Sequence, residues 1–244
     1  MIVSFDSLAF GFTPEKPIFS SFDWQISKGE RWAVLGPSGC GKSTLLLLLA
    51  GILKPDAGEI NIGGKAITRP RPRTGLILQD YGLLPWATVR ENVELGLNIR
   101  QFYGPDGTHA PEEEEYQSGL EKAAYWINRL GLEETADRFP AQISGGQQQR
   151  TAIARTLALR PDLLLMDEPF GSLDAPTSEE LQKQIITLQQ EEALTLVIVT
   201  HSVETAANLG QKILVLGAPP NEDAFVVDNQ DSGIEGYRRS PAYN

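Results

Sequence analysis

The sequence contains little cysteine and no long apolar run. Its single cysteine, Cys40, excludes a disulfide within the chain and is typical of proteins in a reducing compartment. The longest apolar run, residues 45–53, is too short to cross a bilayer. No basic residue precedes Lys16, so the N-terminus lacks the charged start of a signal peptide. These absences predict a soluble, cytosolic protein.

Basic residues are also in short supply. The chain has 21 Lys and Arg against 32 Asp and Glu, which gives a net charge of −11. An acidic chain repels phosphate backbones, so nucleic acid is not expected as a partner. The length of 244 residues, of which 41% are hydrophobic, suits one α/β domain that can carry an inserted subdomain.

The residues that are present are organised around one loop: Gly36, Pro37, Ser38, Gly39, Cys40, Gly41, Lys42, Ser43 and Thr44. The loop follows an apolar strand and opens a Leu-rich helix, the setting in which this spacing predicts a phosphate-binding loop. Its glycines allow backbone N–H groups to converge at a helix N-terminus, where they bind phosphate. Lys42 is expected to contact the β- and γ-phosphates and Ser43 to ligate Mg²⁺. The loop predicts a nucleoside triphosphate site.

The apolar pattern predicts an α/β fold of the P-loop NTPase type, with a mixed or parallel sheet core. Alternating residues in 1–30 and 59–62 predict a small antiparallel β layer at the N-terminus. Strands that alternate with helices predict a parallel sheet, whose ligands lie at the carboxyl ends of its strands; these strands are 32–35, 74–78, 163–166, 194–199 and 213–216. We expect residues 1–217 to form the domain, 88–158 to be an inserted helical subdomain, and 218–244 to be a short tail. The helix from about Pro176 has Thr177 and Glu180 at capping-box spacing.

Polar side chains follow three of the predicted strands. Asp167 and Glu168 come directly after an apolar strand, and Asp167 is suited to hold Mg²⁺ while Glu168 orients and deprotonates water. His201 ends the next strand, within reach of a γ-phosphate, and Gln79 ends another. The Gln79 amide can donate to water and accept from Mg²⁺-bound water.

A second anion site is predicted at Ser144, Gly145, Gly146 and Gln147, which begin another helix. Free N–H groups, the helix dipole and one hydroxyl converge there. As a bare pattern, this run is also compatible with an ordinary N-cap. Two anion sites for one nucleotide require an explanation.

The sequence resembles the ATPases of ATP-binding cassette (ABC) transporters over nearly its whole length. Ile143–Gln147 resembles the family's signature sequence, residues 36–44 its Walker A loop and 163–168 its Walker B strand with the catalytic Glu168. Further matches are Gln79 to the Q-loop, 172–174 with Asp174 to the D-loop, His201 to the switch histidine, and Phe12 to the aromatic residue that stacks on adenine. The resemblance implies ATP and Mg²⁺, the metal ligands Ser43, Gln79 and Asp167, and catalysis by Glu168, His201 and Gln79. It also implies two copies paired head to tail, with the signature of one closing over the ATP of the other.

Residues 79–93 are more narrowly similar to the cassettes of nitrate, sulfonate and taurine importers. This similarity implies a membrane permease that contacts Leu83, Leu84 and Trp86, an extracytoplasmic solute-binding protein, and a place on the cytoplasmic face of the membrane. Core packing of these three residues is the alternative to docking. An exporter or lipid-transport cassette, or a soluble cassette acting on DNA or ribosomes, are the alternative functions. The sequence departs from the family at Ser202, in an acidic insertion at 103–118 and in its short tail.

Overall fold

The computed structural model describes residues 1–112 and 119–229. The chain divides into two compact units. Of the described residues, the first unit contains 1–70, 165–168 and 182–229, and the second contains 71–112, 119–164 and 169–181. The acidic run that begins at Glu112 and the tail beyond 229 lie mostly outside the described residues. In the described part, no helix combines the length and the apolar composition needed to cross a membrane.

The first unit contains an antiparallel sheet built from the N-terminal third of the chain. Its strands are β1 (Val3–Thr13), β2 (Lys16–Ile26), β4 (Ala57–Ile62) and β5 (Lys65–Ala66), in the order β2-β1-β4-β5. In β2, Phe22, Trp24 and Ile26 are buried while the residues between them are exposed, and the ring of Phe5 in β1 packs against Phe22 and Trp24 at centroid distances of 6.2 and 5.6 Å. The alternation in residues 1–30 therefore reflects one buried face of this sheet.

The first unit also contains a largely parallel sheet. Its strands are β3 (Arg31–Leu35), β7 (Leu163–Asp167), β8 (Thr195–Thr200), β9 (Lys212–Val215) and β10 (Phe225–Asp228), in the order β10-β9-β3-β8-β7. Strand β3 runs parallel to both neighbours, with Ala33 opposite Ile198 and Ile213. The helices of this unit are α1 (Lys42–Leu49), the last turns of α5 (Ala175–Glu191) and α6 (Val203–Leu209). This topology brings the carboxyl ends of β3, β7 and β8 to one edge of the sheet.

The second unit is mostly helical. It contains β6 (Thr74–Ile77) beside the start of β7, α2 (Val89–Tyr103), α3 (Gly119–Arg129), α4 (Gly145–Leu157) and the start of α5, with 3-10 turns at Glu133–Thr135 and Pro140–Gln142. Helix α2 begins with a capping box between Thr88 and Glu91. Gly96 of α2 packs so closely on the turn that follows α4 that a Cβ would lie 2.8 Å from the Leu159 side chain.

The predicted fold class is confirmed, and one local prediction is wrong. Helix α5 begins at Ala175, and its cap is Asp174, whose carboxylate accepts hydrogen bonds from the backbone N–H and hydroxyl of Thr177. Thr177 is thus inside the helix, and Glu180 pairs with Arg150 instead of completing a capping box. The segment after 217 contains strand β10, whose four residues are exposed, and a single buried residue among 217–229, Asn221.

Candidate functional site

The phosphate loop joins β3 to α1 in the first unit. Gly39 and Gly41 have φ angles of +80° and +107°, a left-handed backbone conformation that favours glycine. A Cβ at Gly39 would meet no atom within 4 Å, so the space beside Gly39 is open. Gly41 occupies the N-cap of α1 without a side-chain hydrogen bond, so the first N–H groups of the helix remain available to an anion. The loop therefore has the backbone geometry of a phosphate site.

The Lys42 side chain lies along this loop. It is 8% exposed, and its Nζ donates hydrogen bonds to the carbonyl oxygens of Gly36 and Pro37, over 2.7 and 3.0 Å. Charge-assisted hydrogen bonds of this kind fix the ammonium group in the loop, where a phosphate would compete for it. The predicted role of Lys42 agrees with this placement.

Asn221 bonds the backbone of the phosphate loop, a contact that the sequence did not predict. The side chain of Cys40 is 1% exposed, and the Asn221 amide donates to the carbonyl oxygens of Cys40 and Ile18, over 3.0 and 3.1 Å. The Asn221 oxygen accepts from the backbone N–H of Gly217. An Asn in a Pro-rich segment predicts only a turn, so no local pattern indicated this contact.

Asp167, at the end of β7, is hydrogen-bonded to the Ser43 hydroxyl of α1. Its Oδ1 atom is buried and has no hydrogen-bond partner in the part of the chain that the structure describes. Burial raises the pKa of Asp167 and the charge of Glu168 adds to this, while Ser43 and Lys42 act in the opposite direction. A buried, unpaired carboxylate oxygen beside a hydroxyl is an oxygen-only ligand set that suits Mg²⁺.

We expect Asp167→Asn to raise the melting temperature of the chain measured without nucleotide or metal. The raised pKa indicates that ionised Asp167 destabilises the fold. This destabilisation is absent at low pH, where the carboxyl group is protonated, and it grows as the pH rises through the folded-state pKa. Replacing a partly buried and poorly satisfied charge by an amide should remove this cost and so raise the melting temperature. Thermal melts at several pH values test this.

The gain should disappear at acid pH, where both side chains are neutral. Asp223→Asn makes the same change at an exposed position and should have no effect at any pH. A variant that melts below the natural chain at neutral pH would contradict the argument.

Glu168 and His201 face each other in the first unit. The carboxylate Oε1 lies 2.9 Å from Nδ1 of His201; the Glu168 side chain is 14% exposed and that of His201 is 71% exposed. Glu168 has a φ of +43°, an unfavourable backbone conformation for a residue other than glycine, and its N–H donates to the carbonyl oxygen of Val199. The structure thus brings together the predicted general base and the predicted switch histidine.

Phe12 lies near the end of β1 and is 67% exposed, whereas Phe10 is 7% exposed. The two rings meet edge to face, with centroids 5.3 Å apart. Phe12 is therefore the ring with a face available for stacking, and its contact with adenine stays a prediction.

The signature residues begin α4 in the second unit. Ser144 is the N-cap: its hydroxyl accepts from the N–H of Gln147, and the Gln147 side chain accepts from the N–H of Ser144. The side chains of Ser144 and Gln147 thus form hydrogen bonds within their own helix, as in an ordinary N-cap. A Cβ at Gly145 would meet only Leu173, at 3.5 Å, whereas one at Gly146 would lie 2.9 Å from Thr177. The surface at Gly145 is therefore open.

Two other predicted residues also belong to the second unit. Gln79 is exposed and follows the end of β6 by two residues. Asp174 is exposed, and its hydrogen bonds to Thr177 lower its pKa. The roles of Gln79 in catalysis and metal binding, and of Asp174 at the nucleotide, stay predictions.

The segment from Leu83 to Trp86 follows Gln79 in the second unit. Trp86 is 73% exposed, and Leu83 and Leu84 are half-buried. Asn92 of α2 is fully buried and holds this segment in place. Its side-chain oxygen accepts from the N–H of Leu84, and its amide donates to the carbonyl oxygens of Leu84, Ala87 and Thr88. Core packing is therefore wrong for Trp86, and its docking to a permease stays a prediction.

The first unit combines a largely parallel sheet, a phosphate loop and two carboxylates at the carboxyl end of strand β7. These features define a P-loop nucleoside triphosphatase. The comparison with protein families then identifies the kind: residues 19–171 match the family described as ABC transporter, and the chain belongs to that family. It is an ATP-binding ATPase of the cassette type.

Curated relatives agree with this assignment. The chain is 43% identical over 195 residues to the taurine import ATP-binding protein TauB of Pseudomonas aeruginosa, covering 80% of this chain and 70% of the relative. It is 37% identical over 212 residues to the aliphatic sulfonates import ATP-binding protein SsuB of Bacillus thuringiensis, covering 87% and 78%. A putative ATP-binding protein of Brucella abortus is 40% identical over 220 residues, covering 89% and 80%.

Solved structures agree as well. The ATP-binding cassette MJ0796, described as dimeric and bound to ADP and Pi after hydrolysis, matches with a TM-score of 0.76 and 30% identity over 93% of this chain and 98% of its own. The cbiO1 protein of Clostridium perfringens, part of a transporter complex, matches with a TM-score of 0.78 and 25% identity over 94% and 89%.

Proposed function

We propose that this chain is the ATP-hydrolysing subunit of an importer for a small anionic or zwitterionic solute of the sulfonate, taurine or nitrate kind. The observation that carries the proposal is the identity of 37–43% to subunits named for taurine and aliphatic sulfonate import. The exposed Trp86 supports it, because aromatic residues are enriched at the centres of protein interfaces. The chain would act at the cytoplasmic face of the membrane, bound to a permease and served by an extracytoplasmic solute-binding protein.

Two copies would act as a head-to-tail pair, for which the dimeric MJ0796 cassette is the support. In each copy the loop from 36 to 44 holds the phosphates through its N–H groups and Lys42, while Phe12 stacks on the base. The N-terminus of α4, with Gly145 at its first turn, contributes N–H groups to the nucleotide of the other copy. This arrangement gives both anion-binding helix ends a role in one reaction.

Within each copy, Ser43 and Asp167 would hold Mg²⁺. The ion, when bound, offsets the charge on the phosphate oxygens. Glu168 accepts the proton of the attacking water, and His201 orients the Glu168 carboxylate through the contact described above. Closure of the pair would act on the permease, and product release would reset it.

The solute is tested with the chain and its permease reconstituted together in liposomes. ATPase activity is measured with the solute-binding protein and with taurine, an aliphatic sulfonate or nitrate. We expect one of these to stimulate hydrolysis. If the complex forms and none does, the solute class is wrong while the ATPase assignment stands.

We expect Trp86→Ala to leave the melting temperature and basal ATPase activity of the isolated chain unchanged. Substitutions of exposed residues usually change stability by less than about 0.5 kcal/mol. The variant should lose co-purification with the permease, because a central aromatic anchor contributes about 2 kcal/mol or more, roughly thirtyfold in affinity. Thermal melts and co-purification from detergent measure the two effects.

Phe102→Ala is the matched control. Phe102 is 83% exposed, lies on α2 of the same unit and is outside the segment from Leu83 to Trp86. It should keep both stability and co-purification. A large fall in the melting temperature of Trp86→Ala would refute docking.

A further inference from the structure

Tyr81 is held more tightly than its neighbours in the segment after Gln79. Its side chain is 6% exposed, and its hydroxyl lies 2.7 Å from the hydroxyl of Ser172. Its backbone has a φ of +64°, in the left-handed region that tyrosine adopts only where the surroundings hold it. A bulky residue in this conformation, with a buried ring and a bonded hydroxyl, indicates a specific requirement at this position.

Arg155 of α4 fixes the backbone at the same point. One guanidinium nitrogen donates to the carbonyl oxygen of Tyr81 and another to that of Gly82, both over 2.7 Å. The planar guanidinium group thus satisfies two consecutive carbonyls in a turn that has no regular secondary structure. Helix α4 is the helix that begins at the signature, so this contact connects the turn to that helix.

These three contacts join segments of the chain that contain the predicted motifs. Tyr81 lies two residues after Gln79 and two before Leu83, where the proposed docking segment begins. Ser172 lies two residues before Asp174, the cap of α5. All of these residues belong to the second unit. The Tyr81 hydroxyl is thus a short connection between the turn beside the docking segment and the D-loop.

We propose that Tyr81 is a positioning residue for ATP hydrolysis. Its hydroxyl bonds Ser172 and its carbonyl oxygen bonds Arg155. Together these contacts fix the turn from Gln79 to Trp86 relative to residues 172–174 and to α4. Displacement of the docking segment would then be transmitted to Asp174 and the signature helix without any contact of Tyr81 with the nucleotide. The part of this inference that concerns transmission rests on the proposed docking to a permease.

The test removes the hydroxyl contact from either side. Tyr81→Phe and Ser172→Ala should each lower kcat for ATP in the isolated chain by about two- to tenfold, the usual effect of one hydrogen bond, with an unchanged KM. The double variant should be no slower than the slower single variant, because both changes remove the same bond. Ser172→Thr keeps a hydroxyl and should restore the rate. Tyr125→Phe makes the same change as Tyr81→Phe at a half-exposed tyrosine of the same unit and should have no effect.

The outcomes separate the alternatives. Additive losses in the double variant, or lower melting temperatures with normal kcat, would overturn the positioning role and leave Tyr81 as a packing residue. In the reconstituted complex, Tyr81→Phe should also reduce the stimulation of hydrolysis by the permease. If the natural chain binds no permease, docking fails, while the loss of kcat in the isolated variants still decides whether Tyr81 positions the site.

Discussion

Replacing Glu168 by glutamine is expected to lower kcat for ATP hydrolysis by about 10²–10⁴, the usual contribution of a positioned general base. The amide keeps the shape of the side chain and can still bond His201, but it cannot take a proton from water. The substitution leaves the proposed phosphate loop at 36–44 untouched, so ATP binding should be unchanged. Single-turnover hydrolysis and nucleotide titrations measure the two quantities.

The same variant should accumulate as a dimer with ATP bound, because closure no longer leads to hydrolysis. Size-exclusion chromatography with and without ATP detects this species. Glu192→Gln makes the same chemical change at an exposed position and should behave as the natural chain. Near-normal hydrolysis by Glu168→Gln would mean that the base lies elsewhere.

Gly145→Asp should abolish dimer formation while the monomer still binds ATP. The side chain fits, since only Leu173 lies near the added Cβ, and a carboxylate in the first turn of α4 suits the helix dipole. Stability should therefore be retained. The charge would, however, meet the γ-phosphate of the other copy, and kcat should fall by about 10²–10³, as when preorganised donors are removed from a developing charge.

Gly145→Asn separates charge from size, because Asn has the same shape and no charge. It should lose less activity than the Asp variant and should form the dimer in part. ATP affinity from monomer titrations, dimer fraction from chromatography and the melting temperature complete the comparison. Loss of ATP binding by the Asp monomer would place Gly145 beside its own phosphate loop and reject the head-to-tail arrangement.

The sequence was informative where a local pattern determines structure. The loop at 36–44 follows a strand and opens a helix, and a short run of residues is enough to define that geometry. Asp167, Glu168 and His201 were located because parallel strands end at a common edge, which follows from topology without any distance. The structure adds the contacts between Ser43 and Asp167 and between Glu168 and His201.

The contacts that a pattern could not reveal join residues far apart in the chain. Arg155 bonds carbonyls of Tyr81 and Gly82, and Asn221 bonds those of Cys40 and Ile18. The sequence does not indicate which backbone group a polar side chain will bond. The prediction of the N-cap of α5 was wrong for a related reason. Asp174 and Thr177 are both good N-cap residues, and only the path of the backbone decides which of them caps the helix.

Asn221 has a practical consequence for shortening the protein. A chain ended at Gly217 would retain every motif of the cassette, from Phe12 to His201. It would nevertheless remove the amide that ties the carbonyls of Cys40 and Ile18 together behind the nucleotide loop. Truncated variants intended to retain nucleotide binding should therefore extend beyond Asn221, although that residue belongs to no recognised motif.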